Sequence, residues 1–217
     1  LFGFSRGAFT VRSLAGCIRN VGILRPEHAD RIDEAYARYR DPSPEWHPSG
    51  AEATAFRAAY ARDVPTIRCL GVWDTVGSLG VPTRGPIGAY SRRKFGFHNV
   101  ALSGRIEHAY HALAIDERRK PFAPTLWEVS ESDRLRAPGQ TVEQAWFAGV
   151  HSNVGGGYPD CGLADVTFAW MVERAARCGL AFDDEYVRRA VSPAPDGTLY
   201  DSLSAMYRAL GTHTREI

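Results

Sequence analysis

Apolar positions recur along this chain with two different periods. After Leu1 and Phe2, the residues Ala8, Val11, Leu14, Ala15, Ile18 and Val21 fall at intervals of three and four, which lays one apolar stripe along a helix reaching about Val21. Pro26 opens a second helical pattern through Tyr39, and Pro42, Pro44 and Pro48 break it, because proline fits a first turn but not a helix interior. The Ala-rich stretch Ser49 to Arg62 predicts a third helix. Thr66 to Asp74 and Thr141 to Val150 read instead as apolar strands, each delivering a polar residue into a turn. Leu102 to Ile115 reads as helix, and Leu163 to Cys178 as a covering helix with Phe168, Met171, Val172 and Ala175 on one core stripe. From Asp183 onward the pattern is polar, helical and peripheral. Residues 77 to 99, with six glycines or prolines among 77 to 88, form a long loop of the kind that serves as a lid or lines an acyl groove.

Alternation of strands and helices over 217 residues, 44% of them hydrophobic, predicts one α/β domain, a mostly parallel sheet with flanking helices over 1–217. Lys plus Arg number 26 against 25 Asp plus Glu, so no global attraction to polyanions exists and nucleic acid is not an expected partner. The basic run Ser91-Arg92-Arg93-Lys94 reads as a solvated loop or a contact for anionic lipid headgroups at a membrane surface. Cys17, Cys69, Cys161 and Cys178 lack paired metal spacing, and Cys17 and Cys69 sit in apolar segments as reduced core residues. His108 and His111 are three apart on the expected helix, a spacing that can seat a metal but ordinarily does not. His98 and His213 have no partner legible in sequence. No cofactor and no metal is expected.

The chemistry is concentrated in Gly3-Phe4-Ser5-Arg6-Gly7, between a strand end and the first helix. It reads as a nucleophile elbow, a sharp strand-to-helix turn that presents a serine hydroxyl above the sheet, with flanking glycines where side chains would collide with backbone. The backbone N–H of Arg6 is then the first oxyanion-hole donor. A serine needs a base and a group to orient that base, in the chain order serine, acid, histidine. Asp74 ends its strand and His151 follows another into the glycine-rich stretch Gly155-Gly156-Gly157. They lie 74 − 5 = 69 and 151 − 74 = 77 residues apart, which suits successive strand ends converging on one sheet edge. The plainer readings are a Gly-Ser turn opening an ordinary helix, Asp74 as a helix cap, and His151 as a hydrogen-bonded loop residue.

The blocks GFSRGAF (3 to 9), GVWDTVGSLGVP (71 to 82), HALAIDERRKPFAPTLW (111 to 127) and WFAGVHSNVGGGY (146 to 158) resemble, in order, those of a long-uncharacterised α/β-hydrolase domain family that includes the catalytic domain of the first family of type VI secretion lipase effectors. The resemblance spans roughly residues 1 to 182. It implies a Ser-Asp-His hydrolase with phospholipase activity, with the roles falling on Ser5, Asp74 and His151, and with lipid or another ester as substrate. It also implies a secretion-apparatus partner, and a protein made in the bacterial cytoplasm and delivered by secretion. A small-ester or thioester hydrolase and a noncatalytic binding module on the same scaffold are the alternatives. Two departures stand out. The family's histidine block often reads His-Ser-Asp-Val-Gly where this chain has Asn153, an amide that hydrogen-bonds without charge. The family's first strand and Asp-Gly-Thr loop precede the elbow, whereas this chain opens at it, so it is expected to be an N-terminally truncated fragment lacking the second oxyanion donor.

Overall fold

A computed structural model describes residues 1–76, 102–128 and 137–217. Strand β1 (Phe2–Phe4) leads into helix α1 (Arg6–Val21), followed by β2 (Ile23–Leu24), a 3-10 segment (Pro26–Arg31), α2 (Ile32–Tyr39), α3 (Ala51–Tyr60) and β3 (Ala61–Arg62). Then come β4 (Ile67–Trp73), β5 (Ile106–Ala114), β6 (Thr141–Phe147), α4 (His151–Gly155), α5 (Gly162–Arg177), α6 (Asp184–Ala190) and α7 (Ala205–Ala209). The main sheet runs β1-β4-β5-β6 with every pair parallel, while β2 and β3 form a short antiparallel pair. The register aligns Phe4 with Trp73, Trp73 with Ala112, and Ala114 with Phe147. All four carboxyl ends therefore emerge on one edge, where open parallel sheets place their ligands.

Both faces of this sheet are covered, as parallel sheets require. On one face α1 packs Ala8 and Ala15 against Leu70, Val72 and Ala109. On the other, Met171 and Cys178 close over Cys69, Trp73 and Tyr110. Gly71 allows this approach, since a Cβ there would stand 2.6 Å from Met171 Sδ and 2.7 Å from the Phe2 ring. A satellite core of Val21, Ala35, Tyr39, Trp46, Ala53 and Phe56 seats α2 and α3 against α1.

Two expectations change here. The segment expected as a helix over Leu102 to Ile115 is the central strand β5. Its alanines favour helix, but a strand buried on both faces has no polar alternation to reveal it. With side chains alternating across the sheet, His108 and His111 point to opposite faces, His108 stacking on Tyr110 and His111 meeting the Trp127 ring edge. The pair shares no metal site, and among the described residues no group of three or more His, Cys, Asp or Glu side chains could hold an ion. Beyond Asp183 only α6 and α7 are helical, and the final residues return to the sheet edge: Thr212 bridges to Arg119 and Arg215 is buried. The loop expected over 77 to 99, with its basic run at 91 to 94, lies outside the described residues. Among those described, no helix is long and apolar enough to cross a membrane.

Candidate active site

Each strand end contributes one part of the site. After β1, Ser5 takes φ 59° and ψ −121°, a left-handed conformation rare outside glycine and frequent at strained functional turns. It is held from both sides: its N–H donates to the Trp73 carbonyl (3.0 Å), extending the ladder, while its carbonyl accepts from Phe9 N–H (3.2 Å), opening the helix. Gly3 is required by close approach. A Cβ there would lie 2.4 Å from Gly7 O and 2.8 Å from Ala8 N, both helix backbone that cannot yield. A Cβ on Gly7 would meet nothing within 4 Å, so the collision argument holds for Gly3 and not for Gly7. Arg6 is the first residue of α1, so its N–H is among the donors that a helix start leaves without an intrahelical partner.

After β4, Asp74 is fully buried at φ 39°. Its N–H donates to Ala112 O (2.7 Å), and its Oδ1 accepts from Ala114 N–H (3.1 Å). The next residue is pinned too: Thr75 N–H donates to His111 Nε2 (3.1 Å), which places the His111 proton on Nδ1, facing Gln144 Oε1 at 3.2 Å. Burial, reinforced by the charge of Arg12, pushes the His111 pKa down to about 3, so this imidazole is a neutral acceptor.

After β6, His151 opens α4 rather than entering a glycine loop. Its Nδ1 lies 2.6 Å from Asp74 Oδ2 and its Nε2 2.8 Å from Ser5 Oγ. A carboxylate only accepts, so Nδ1 carries the proton and Nε2 is left to accept from the serine hydroxyl. The ring is wedged between Phe4, centroid 4.5 Å away, and Phe122, edge-on at 4.9 Å. Its backbone N–H donates to Glu117 Oε2 (3.2 Å), and Glu117 also takes Arg119 Nε (2.9 Å), Arg119 Nη2 (2.8 Å) and Ser202 Oγ. Burial opposes the Glu117 charge, but the bonds from Arg119 outweigh it and hold the carboxyl below its ordinary range.

Asn153 does structural work that a carboxylate would not. Its Oδ1 accepts from Val150 and Tyr200 N–H (3.3 Å each) while its Nδ2 donates to Thr198 O (2.9 Å). An Asp in its place has no donor for that last carbonyl.

Residues 1–174 match the family described as the type VI secretion system phospholipase effector Tle1-like catalytic domain. The chain belongs to that family. Its fold is accordingly α/β-hydrolase-like, in agreement with the parallel sheet and flanking helices. Among curated proteins, the Saccharomyces cerevisiae protein "Uncharacterized protein YEL023C" is 31% identical over 128 residues. That stretch is 56% of this chain, and it spans only 17% of the yeast protein. No solved structure matches the chain.

In this Tle1-like domain the His151 ring stands between Ser5 Oγ and the Asp74 carboxylate, within hydrogen-bonding reach of each. Sequence reasoning missed Arg215. Its Nη1 donates to Asp74 Oδ1 (2.5 Å) and Ala114 O (2.6 Å), and its Nη2 to Asp74 Oδ2 (2.9 Å) and Phe122 O (2.7 Å). Burial opposes ionisation of Asp74, but the bonds from His151 and Arg215 and their charges win, and its pKa falls to about 2. Glu117 and Arg119 stand inside a block quoted for the resemblance, so a signal for them existed. Arg215 has no such signal.

Proposed function

We propose that the domain hydrolyses carboxylic esters through an acyl-enzyme on Ser5, and that its substrates are phospholipids. The observation that carries this reading is the unbroken line from Ser5 Oγ through the His151 ring to the Asp74 carboxylate, with contacts of 2.8 and 2.6 Å. Ser5 Oγ attacks the ester carbonyl as its proton passes to His151 Nε2. The carbonyl oxygen takes the developing charge, facing the Arg6 N–H at the start of α1. The intermediate collapses, the C–O bond to the alcohol breaks, and the imidazolium returns the proton to the leaving oxygen. Water then repeats the steps on the acyl-enzyme and frees the acid. Asp74 holds the ring in the required tautomer throughout.

Phospholipid as substrate rests on the family, which is that of phospholipase effectors. The test measures hydrolysis of phosphatidylcholine vesicles and of short-chain nitrophenyl esters by the wild-type protein and by Ser5→Ala. The expected result is turnover of both, reduced on the order of a thousandfold or more by Ser5→Ala with circular dichroism unchanged. Retained turnover in that variant would reject nucleophilic catalysis by Ser5. Ester hydrolysis without release of fatty acid from vesicles would reject the phospholipid assignment in favour of a small-ester enzyme.

A further inference from the structure

We infer that Arg215 is a positioning residue of this reaction, fixing the Asp74 carboxylate against the His151 ring and setting the charge that ring faces. The inference rests on the triad reading above and extends it to a residue 41 positions beyond the span matched to the family, 215 against 174.

The geometry is that of a fork. Both terminal nitrogens of the guanidinium meet both oxygens of one carboxylate, the bidentate arrangement in which arginine is most directional. Among the described residues the Asp74 carboxylate otherwise has only the Ala114 N–H and His151 as partners, a set that leaves rotation about its Cβ–Cγ bond weakly opposed. The same two nitrogens bond the carbonyls of Ala114, at the end of β5, and of Phe122, whose ring stands edge-on to His151. One side chain thus ties the acid, the neighbouring strand end and one wall of the histidine cage. It does so from inside the protein, with 1% of the side chain exposed.

The charge follows from the same contacts. Against a bare carboxylate an imidazolium is strongly favoured, but Asp74 paired with Arg215 presents an ion pair of zero net charge. Among the described residues the other titratable groups near His151 include Glu117, bonded to its backbone N–H, Asp116, whose carboxylate accepts from Gly149 N–H, Arg119, whose guanidinium lies over the Phe122 ring, and Tyr207, against the same ring. Glu117 and Arg119 pair with each other and also sum to zero. Arg215 therefore cancels the negative charge that a lone carboxylate would present to the His151 ring.

The test compares wild type, Arg215→Met and Arg215→Lys. For Arg215→Met, kcat on nitrophenyl butyrate is expected to fall about a hundredfold with KM nearly unchanged, because a displaced acid misaligns the base without touching the ester. The acid limb of its kcat profile is expected to move up by about one pH unit, since removing a cation favours the imidazolium. Arg215→Lys keeps the charge but not the fork, so its kcat is expected to fall while the acid limb stays at the wild-type position. In parallel, the His151 imidazole is titrated by nuclear magnetic resonance in all three proteins, which reads the charge effect even where no ester is turned over. Wild-type kcat in Arg215→Lys, or an unshifted His151 titration in folded Arg215→Met, would overturn the inference. Should Arg215→Met fail to fold, the Arg215→Lys comparison decides alone. A wild-type protein inert towards every ester, with the His151 titration still shifting in Arg215→Met, would instead fault the triad reading and leave the electrostatic role of Arg215 standing.

Discussion

Replacing Asp74 by Asn is expected to destroy activity and to destabilise the fold through separate physical causes. Asn tolerates a left-handed backbone better than most residues, so φ 39° adds little strain. What changes is charge. The Arg215 side chain is almost fully buried and its only carboxylate partner among the described residues is Asp74. An unpaired buried cation costs about 3 to 5 kcal/mol. At about 2 to 4 °C per kcal/mol for a chain of this length, Tm should drop by roughly 6 to 20 °C. Catalysis fails for another reason. The amide can turn its NH2 towards His151 Nδ1, which moves the ring proton to Nε2 and leaves Ser5 without a base, a loss of ~10⁴ in kcat. Adding Arg215→Met to Asp74→Asn removes the stranded cation, so the double variant should regain Tm while staying inactive. Calorimetry together with nitrophenyl ester turnover makes the comparison. An unchanged Tm in Asp74→Asn, or a double variant no more stable than the single, would refute the buried-pair argument; near-normal turnover would refute the orienting role of Asp74.

Other outcomes follow from the same contacts. Gly3→Ala should force α1 away from β1, costing about 1 to 3 kcal/mol or more and misplacing Ser5 enough to lower kcat on the order of a hundredfold; unchanged melting and turnover would show that the helix yields. Asn153→Asp loses the bond to the Thr198 carbonyl and sets a carboxylate against it, so urea unfolding should register about 1 to 3 kcal/mol of lost stability, and no change would show the site relaxes. Acid should act in two windows. His111, with its folded pKa lowered to about 3, binds a proton in the unfolded chain first, so stability falls by up to ~5 kcal/mol between pH 6.5 and 3. Asp74, with its folded pKa lowered to about 2, contributes ~2 kcal/mol that is present above about pH 4 and lost as pH drops to 2. Urea titrations that are flat from pH 7 to 4 would remove the His111 assignment.

What the sequence disclosed was whatever is local. The elbow, the strand before Asp74 and the strand before His151 each carry their signal within a dozen residues, because a tight turn needs glycine and a buried strand needs an apolar run. Strand β5 was misread for the converse reason. Its Ala109, Ala112 and Ala114 are all buried and none alternates with an exposed polar residue, so propensity spoke for helix while tertiary burial decided for strand. Arg215 was illegible because its bond to Asp74 joins residues 141 apart. The value of Asn153 was hidden similarly, since its partners at Thr198 and Tyr200 lie in a segment that pattern alone places at the periphery.

The span of these contacts bears on when the site comes into being. Ser5 meets His151 across 146 residues and Asp74 meets Arg215 across 141, so the array joins segments far apart in the sequence. Closing such long loops is a late event in folding, favoured only once the sheet has already brought its strand ends together. Synthesis proceeds from the amino end at about 5 to 20 residues per second, and the serine emerges many seconds before the arginine. During that interval the growing polypeptide carries its nucleophile without the assembled array, which is completed only after the segment holding Arg215 has been added.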